Sequence, residues 1–165
     1  FNLAHRLRLS LLRLTRGNPL FLRMMAQNAL TVSPPLGRIR DFVTGSDPDH
    51  PGTIDLKKYG VRLFTDAARV FALAHDVEAT NTVQRLKRAA AVMNISSDDL
   101  AASLEGFNFI QLLRLRHQHF EQEHGRAGDN FIRPEELNEI ERRILKEAFR
   151  QTRKLQARLK LDYQL

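Results

Sequence analysis

Three arginines occur where the surrounding sequence predicts helices with apolar faces. They are Arg69 within DAARVFAL, Arg85 within TNTVQRLKRA and Arg114 within FNFIQLLRLRHQ. A guanidinium on such a face is costly to desolvate unless a carboxylate or a phosphate neutralises its charge. Its planar fork forms paired hydrogen bonds with either group. The three arginines therefore indicate either a cationic site for a phosphate or carboxylate ligand, or internal ion pairs.

Both interpretations stay open at the level of the residues. The internal partners that the sequence offers are Asp55, Asp66 and Asp129, any of which would hold a loop against the helices. Spacing alone favours a pair between Asp55 and Arg69 over a ligand site.

The helix predicted around Arg114 carries further polar groups on its apolar line. Gln111, Arg114 and Gln118 continue the stripe that Leu104 and Phe107 begin. Polar groups on a core-facing line must meet partner side chains or a wet pocket.

Two other polar clusters could do chemistry, and we expect neither to be a site. His117, Glu121 and His124 share one helical face, but a di-iron bundle needs a second Glu-x-x-His motif that is absent from the sequence. The Gly-Ser before Asp47 and Asp49 superficially resembles a nucleotidyltransferase's phosphate loop and metal-binding acids. The acids follow at once, without the intervening helix and strand, so we expect a polar turn and no catalytic residues in this chain.

The basic charge is confined to one end of the sequence. The first 40 residues contain seven arginines and no acid, whereas 19 basic and 19 acidic residues balance over the rest. The first predicted helix places Leu3, Ala4, Leu7, Leu11 and Leu14 on one face, with arginines opposite. Because these arginines alternate with leucines rather than aromatic residues, we do not expect nucleic-acid binding. We expect a solvated face or one that docks on an acidic neighbouring domain.

The composition is that of one globular domain. A chain of 165 residues can bury a core, and no apolar run approaches the roughly 20 residues of a membrane span. There is no cysteine, which suits a cytoplasmic location. We therefore expect a single helical domain over residues 1–165, with no membrane partner. The initial Phe1 leads us to expect a C-terminal fragment of a larger multidomain protein.

Hydrophobic periodicity predicts an all-α, antiparallel bundle of about six helices. Gly17-Asn18-Pro19 separates the first two helices, and the later ones are expected near residues 65–75, 81–93, 97–124 and 134–161. A small two-stranded hairpin is expected between helices 2 and 3, within residues 31–60. Its strands would be RIRDFV and TIDLKKY, with TGSDPDHPG as the tip. The last helix is expected to face the bundle along Leu137, Ile140, Ile144, Ala148, Thr152, Leu155 and Leu159.

Several ordered motifs resemble a known family. They are PPLGRIRDF, GTIDLKKYGVRLFTDAARVFALAHDVEATNTVQRL, FNFIQLLRLRHQ and GDNFIRPEELNEIERRILKEAFRQTRKLQ, which together cover about residues 34–156. This pattern is similar to the C-terminal helical domain of nucleotidyltransferase-like proteins that often carry cyclic-nucleotide-binding and CBS domains. In that family the domain is described as the substrate-binding partner of a catalytic domain on its N-terminal side.

The resemblance implies a set of polar site residues. The family's recurring polar positions correspond to Asp55, Lys57, Gly60, Arg69, Thr82, Arg85, Arg114, Arg116, Gln118 and Asn130. The Leu-x-Pro that typically follows the loop glycine is replaced by Val61-Arg62-Leu63, so a looser turn is expected. The paired aspartates of the catalytic unit are absent from the sequence.

The resemblance therefore implies a non-catalytic substrate-binding or regulatory domain in signal transduction. Its expected partners are the N-terminal catalytic domain of the same chain and a nucleotide or protein substrate, and a homodimer is a further candidate. No cofactor is expected in this fragment, and Mg²⁺ with a nucleoside triphosphate would belong to the parent protein. The alternative is an interaction or dimerisation module whose arginines are paired internally.

Overall fold

A computed structural model describes residues 2–37 and 42–165. Within these ranges the chain forms six α-helices, which confirms the all-α bundle. The helices are α1 (Leu3–Arg16), α2 (Pro19–Ala29), α3 (Arg62–Ala74), α4 (Thr82–Met93), α5 (Ser97–Glu123) and α6 (Glu139–Tyr163). None of the described helices is long and apolar enough to cross a membrane.

Side-chain caps define where most of the helices begin. The side chain of Asn18 accepts a hydrogen bond from the Phe21 amide, and Pro19 occupies the first turn of α2. Asn81 caps α4 in the same way. The cap of α5 is Ser96 rather than the expected Ser97. These small polar residues satisfy amide groups that have no partner inside the helix.

The last helix begins later than the sequence predicts. Pro134–Glu136 forms a single 3₁₀ turn, and α6 starts at Glu139 with a capping box between Asn138 and Glu141. The predicted core-facing stripe is correct from Ala148 onward. Leu137 also packs against the core, but the stripe is wrong at Ile140 and Ile144, which are exposed, and it omits the buried Leu145 and Phe149.

The two-stranded element exists, but its second strand comes from elsewhere in the chain. Strand β1 (Ile54–Asp55) pairs antiparallel with β2 (Phe131–Ile132), which lies between α5 and α6. The predicted pairing with RIRDFV is not observed for β1, and residues 38–41 of that segment lie outside the described residues. The predicted tip is closed as expected, because Gly45 exchanges backbone hydrogen bonds with Gly52 and Thr53.

The segment after β1 is helical rather than extended. Lys57–Val61 forms a π-helical turn that runs directly into α3, where the sequence predicted a strand and then a loose turn. Gly60 lets this turn lie against α5, since a Cβ on Gly60 would come within 2.9 Å of the side chain of Ile110. The close approach fixes the turn that carries Lys57.

Helix α3 is the centre of the bundle. It packs against α1, α2, α4, α6 and the π-helical turn, and it buries Phe64, Ala67, Val70 and Phe71. These residues recur at helical spacing on one side, so the opposite side is free to present polar groups. Arg62, Asp66 and Arg69 lie on that polar side.

Candidate functional site

The π-helical turn and the polar side of α3 form an open pocket of about 480 Å³, here called the α3 pocket. Eight residues line it, and six of them are charged, although most of the surface that they present to the pocket is apolar: Asp55, Lys57, Lys58, Val61, Arg62, Thr65, Asp66 and Arg69. The four cationic side chains face only two carboxylates. The pocket therefore carries an excess of two positive charges, which favours an anion.

Asp55 supports the wall of the pocket. Its Oδ1 accepts hydrogen bonds from the amides of Lys57 and Lys58, at 2.9 and 3.0 Å. The carboxylate thus caps the start of the π-helical turn, where backbone N–H groups have no helical partner. The predicted ion pair between Asp55 and Arg69 is wrong, although both residues line the same pocket.

The ion-pair partner of Arg69 is Asp66, one of the internal partners that the sequence offered. Asp66 Oδ1 lies 3.3 Å from Arg69, and its Oδ2 lies 3.1 Å from Arg62. All three residues belong to α3, so this pairing links no loop to the bundle. The side chain of Arg69 is 46% exposed and that of Asp66 is 15% exposed. Ion pairs with an exposed partner contribute about 0–1 kcal/mol, and Asp66 keeps Arg62 as a partner when Arg69 leaves. An anionic ligand can therefore compete with Asp66 at small cost.

Lys57 and Lys58 are the least neutralised members of the pocket. Among the described residues, neither ammonium group forms an ion pair. Lys58 Nζ lies 5.0 Å above the ring of Tyr59, which holds it beside the turn. Two cations without a carboxylate partner leave the site open to an external anion.

Thr82 and Arg85 approach the pocket from α4. The hydroxyl of Thr82 lies 3.4 Å from that of Thr65, which lines the pocket. Arg85 donates from Nε to the carbonyl of Ala79 at 3.0 Å. Burial, followed by the positive charges of Arg69 and Arg8, holds the pKa of Arg85 below its ordinary value. These residues therefore extend the positive field of the pocket toward α1.

Arg114, Gln118 and Asn130 form a separate network. Arg114 donates to Asn130 Oδ1 at 2.9 Å and to Gln111 Oε1 at 2.7 Å, and Gln118 donates to Asn130 at 3.3 Å. The expectation that polar side chains on this face of α5 meet partners is confirmed. Because the Asn130 carbonyl also accepts from the Leu56 amide, the network ties α5 to the strand that leads into the α3 pocket.

Arg116 joins two helices. Its Nη1 donates to Glu141 Oε1 at 2.6 Å, from α5 to the first turn of α6. This hydrogen bond is the main reason that the pKa of Glu141 lies below its ordinary value. Arg116 is therefore already engaged in packing α6 onto α5.

The two clusters that the sequence set aside have internal partners. His117 Nε2 lies 2.7 Å from Asp129 Oδ1, and Glu121 pairs with Arg126 at 2.7 Å. In the GSDPDH turn, Asp47 accepts from the Asp49 amide. Within residues 2–37 and 42–165, no group of three metal-ligating side chains is found.

Sequence reasoning missed two cationic members of the α3 pocket, Lys58 and Arg62, and its hydroxyl donor Thr65. Arg62 precedes Asp66 by four residues and Arg69 by seven, so the three share a helical face once the helix begins at Arg62. We expected the helix to begin near residue 65, so Arg62 was not placed on the same helical face as Asp66 and Arg69. Lys58 belonged to a predicted strand, where its side chain would have pointed away from that of Lys57.

The described residues form an all-α bundle with an open cationic pocket, and comparison with known families gives its class. The chain belongs to the family described as "Putative nucleotidyltransferase substrate binding domain", whose model matches residues 19–163. Comparison with curated proteins and with solved structures gives no significant match.

Proposed function

We propose that this chain is a non-catalytic, cytoplasmic substrate-binding domain that acts with a nucleotidyltransferase catalytic domain on its N-terminal side. In this account the α3 pocket binds the phosphate groups of the nucleotide, delivered with Mg²⁺. The observation that carries the proposal is the excess of two positive charges in the pocket, where the ammonium groups of Lys57 and Lys58 pair with no carboxylate of residues 2–37 and 42–165.

The chemistry of the pocket suits phosphate oxygens. Arg62 and Arg69 offer guanidinium donors, Thr65 offers a hydroxyl, and the lysines act as point charges. Charge-assisted hydrogen bonds contribute about 1.5–3 kcal/mol each, more than the exposed pair with Asp66 that a phosphate would displace. Arg85 and Thr82 support the site from α4 without lining the pocket themselves.

Arg114, Gln118 and Asn130 have a supporting role in this proposal. Their hydrogen bonds hold the strand and the π-helical turn in place. The alternative of an interaction module with internally paired arginines is supported for this network and for Arg116. For Arg69 an internal pair is also present, with Asp66, but both residues lie on α3, so this pair joins no two elements of the fold.

Calorimetric titration of the chain with ATP, UTP and GTP in the presence of Mg²⁺ tests the proposal. We expect at least one nucleotide to bind, and Arg69→Ala to weaken it about tenfold or more. Urea unfolding should show that Arg69→Ala changes the free energy of unfolding by no more than about 1 kcal/mol.

Arg150→Ala is the matched control. Arg150 also forms an exposed ion pair three residues apart, with Glu147 at 3.2 Å, but on α6 and outside the pocket. Its removal should leave nucleotide affinity unchanged. Equal losses in both variants, or no binding of any of the three nucleotides by a folded chain, would contradict the proposal.

A further inference from the structure

Helix α1 leaves most of its apolar stripe uncovered by its own bundle. Leu3, Leu7 and Leu14 are 79%, 70% and 72% exposed, whereas Leu12 and Thr15 are buried against the bundle. A surface helix normally buries its apolar stripe. Here the stripe runs for about 16 Å along the helix, at 1.5 Å per residue from Leu3 to Leu14. Contiguous exposed apolar surface of this kind marks an interaction site.

The middle of the stripe, at Leu7 and Leu11, lines a concave groove between α1, α3 and α4, here called the α1 groove. The groove has a volume of about 320 Å³ and a mostly apolar lining, with Leu7 and Leu11 facing Leu73 and Val77. Two guanidinium groups also line it, those of Arg8 and Arg85. Residues 3–16 lie outside the segment that matches the family model. The family description therefore covers only part of the groove.

The charges around the groove are positive. Helix α1 contains four arginines and no acid. The nearby acids are already engaged at the two ends of α1, where Asp76 lies 2.7 Å from Arg16 and Glu78 lies 4.0 Å from His5. Among the described residues Arg8 forms no ion pair. The middle of the groove is therefore both apolar and cationic.

The length, shape and charge of the groove distinguish between the kinds of ligand that could bind there. A second copy packed α1 against α1 would bring like charges together, which is unfavourable. A membrane surface is flat, whereas the groove is concave and narrow. A small amphiphile would cover only a part of the 16 Å stripe. A helix with apolar residues along one face and carboxylates beside them matches the length of the stripe and the charge around it, with its apolar side chains entering the groove.

We propose that the α1 groove binds an acidic amphipathic helix of a partner protein. Its apolar residues pack against Leu7 and Leu11, and its carboxylates pair with Arg8 and Arg85. This interaction is separate from the nucleotide site of the α3 pocket.

Fluorescence anisotropy with two labelled synthetic helices tests the proposal. Each peptide is about 20 residues long, so that it can be helical in solution, and has leucines on one face. The leucines are flanked by glutamates in one peptide and by lysines in the other. We expect the glutamate peptide to bind at least about tenfold more tightly. Leu7→Gln and Arg8→Gln should each weaken its binding about five- to tenfold.

Matched variants separate the groove from general surface effects. Leu115→Gln removes a leucine of similar exposure on α5, and Arg88→Gln removes one positive charge from the exposed face of α4. Neither should change peptide affinity. Circular dichroism checks that every variant keeps its helical content.

Three results would overturn the proposal. The first is equal binding of the two peptides, or binding that Leu7→Gln leaves intact. The second is self-association in sedimentation velocity that Leu7→Gln abolishes, which would make a second copy the occupant. The third is binding to phosphatidylserine vesicles, sensitive to Leu7→Gln, by a chain that does not bind the glutamate peptide.

Discussion

The role of Arg69 depends on which carboxylate it pairs with. A pair with Asp55 would have linked the loop to the bundle and made the arginine a structural element. The observed pair with Asp66 stays within α3 and leaves the guanidinium at the edge of a pocket. Since exposed pairs contribute little to stability, the arginine is available for a ligand.

Asp55→Asn should separate the structural and electrostatic roles of Asp55. Asparagine keeps an oxygen that can accept from the Lys57 and Lys58 amides, so we expect a loss of only about 0.5–1 kcal/mol in urea unfolding. The excess charge of the pocket rises by one, so MgATP should bind about fivefold more tightly in calorimetry.

The control for Asp55→Asn is Asp47→Asn. Asp47 Oδ1 accepts from the Asp49 amide at 2.9 Å in a similar turn, but outside the α3 pocket. Its nucleotide affinity should stay that of the wild type. If Asp55→Asn bound MgATP no better than this control, the pocket would not be the phosphate site.

At the scale of elements, the sequence predicted helices well and strand pairing poorly. Helix positions follow from local features such as the Asn18 and Asn81 caps, which lie in the sequence beside the helices that they start. The pairing of Ile54 with Ile132 joins distant parts of the chain. With only two residues per strand, no alternation of side chains was long enough to reveal it.

The π-helical turn was missed for a related reason. In Thr53–Tyr59, apolar and polar residues alternate in the manner of a strand, yet most of the segment is helical because Asp55 caps it and Gly60 fits against Ile110. These tertiary contacts outweigh the local pattern. The family resemblance placed Asp55, Lys57 and Arg69 among the site residues but could not supply Arg62 or Lys58.

The junction of α5 and α6 should be sensitive to acid. The pKa of Glu141 in the folded chain lies below its ordinary value of 4.5, mainly through the hydrogen bond from Arg116. Its contribution to stability is therefore present above pH 4.5 and is lost as the pH falls through the lowered pKa. We expect Glu141→Gln to be less stable than the wild type at pH 7, with a difference that shrinks toward pH 3.

Urea unfolding between pH 7 and pH 3 measures this difference. Asp99 and Glu147 also have lowered pKa values and add to the acid sensitivity of both proteins, so only the difference between the curves is diagnostic. Glu135→Gln, at an exposed position on the 3₁₀ turn, should follow the wild type. A constant gap between wild type and Glu141→Gln at every pH would exclude the expected role of this contact.

For the whole molecule, the two proposed binding regions are both cationic among the described residues. The α3 pocket gathers two lysines and two arginines, and the α1 groove combines arginines with leucines. The sequence showed that the first 40 residues are basic and amphipathic. It could not show that Leu3, Leu7 and Leu14 are exposed, because periodicity identifies a face but not the neighbour that covers it.

The central claim is that nucleotide phosphates bind in the α3 pocket, and backbone NMR tests it most directly. A ¹⁵N-labelled chain would be titrated with MgATP while amide and arginine Nε signals are followed. We predict that the largest shifts occur at the amides of Lys57 and Lys58 and at the Nε groups of Arg62 and Arg69. Unchanged signals at these four residues, with shifts centred on Arg114 and Asn130 or on α1, would contradict the account.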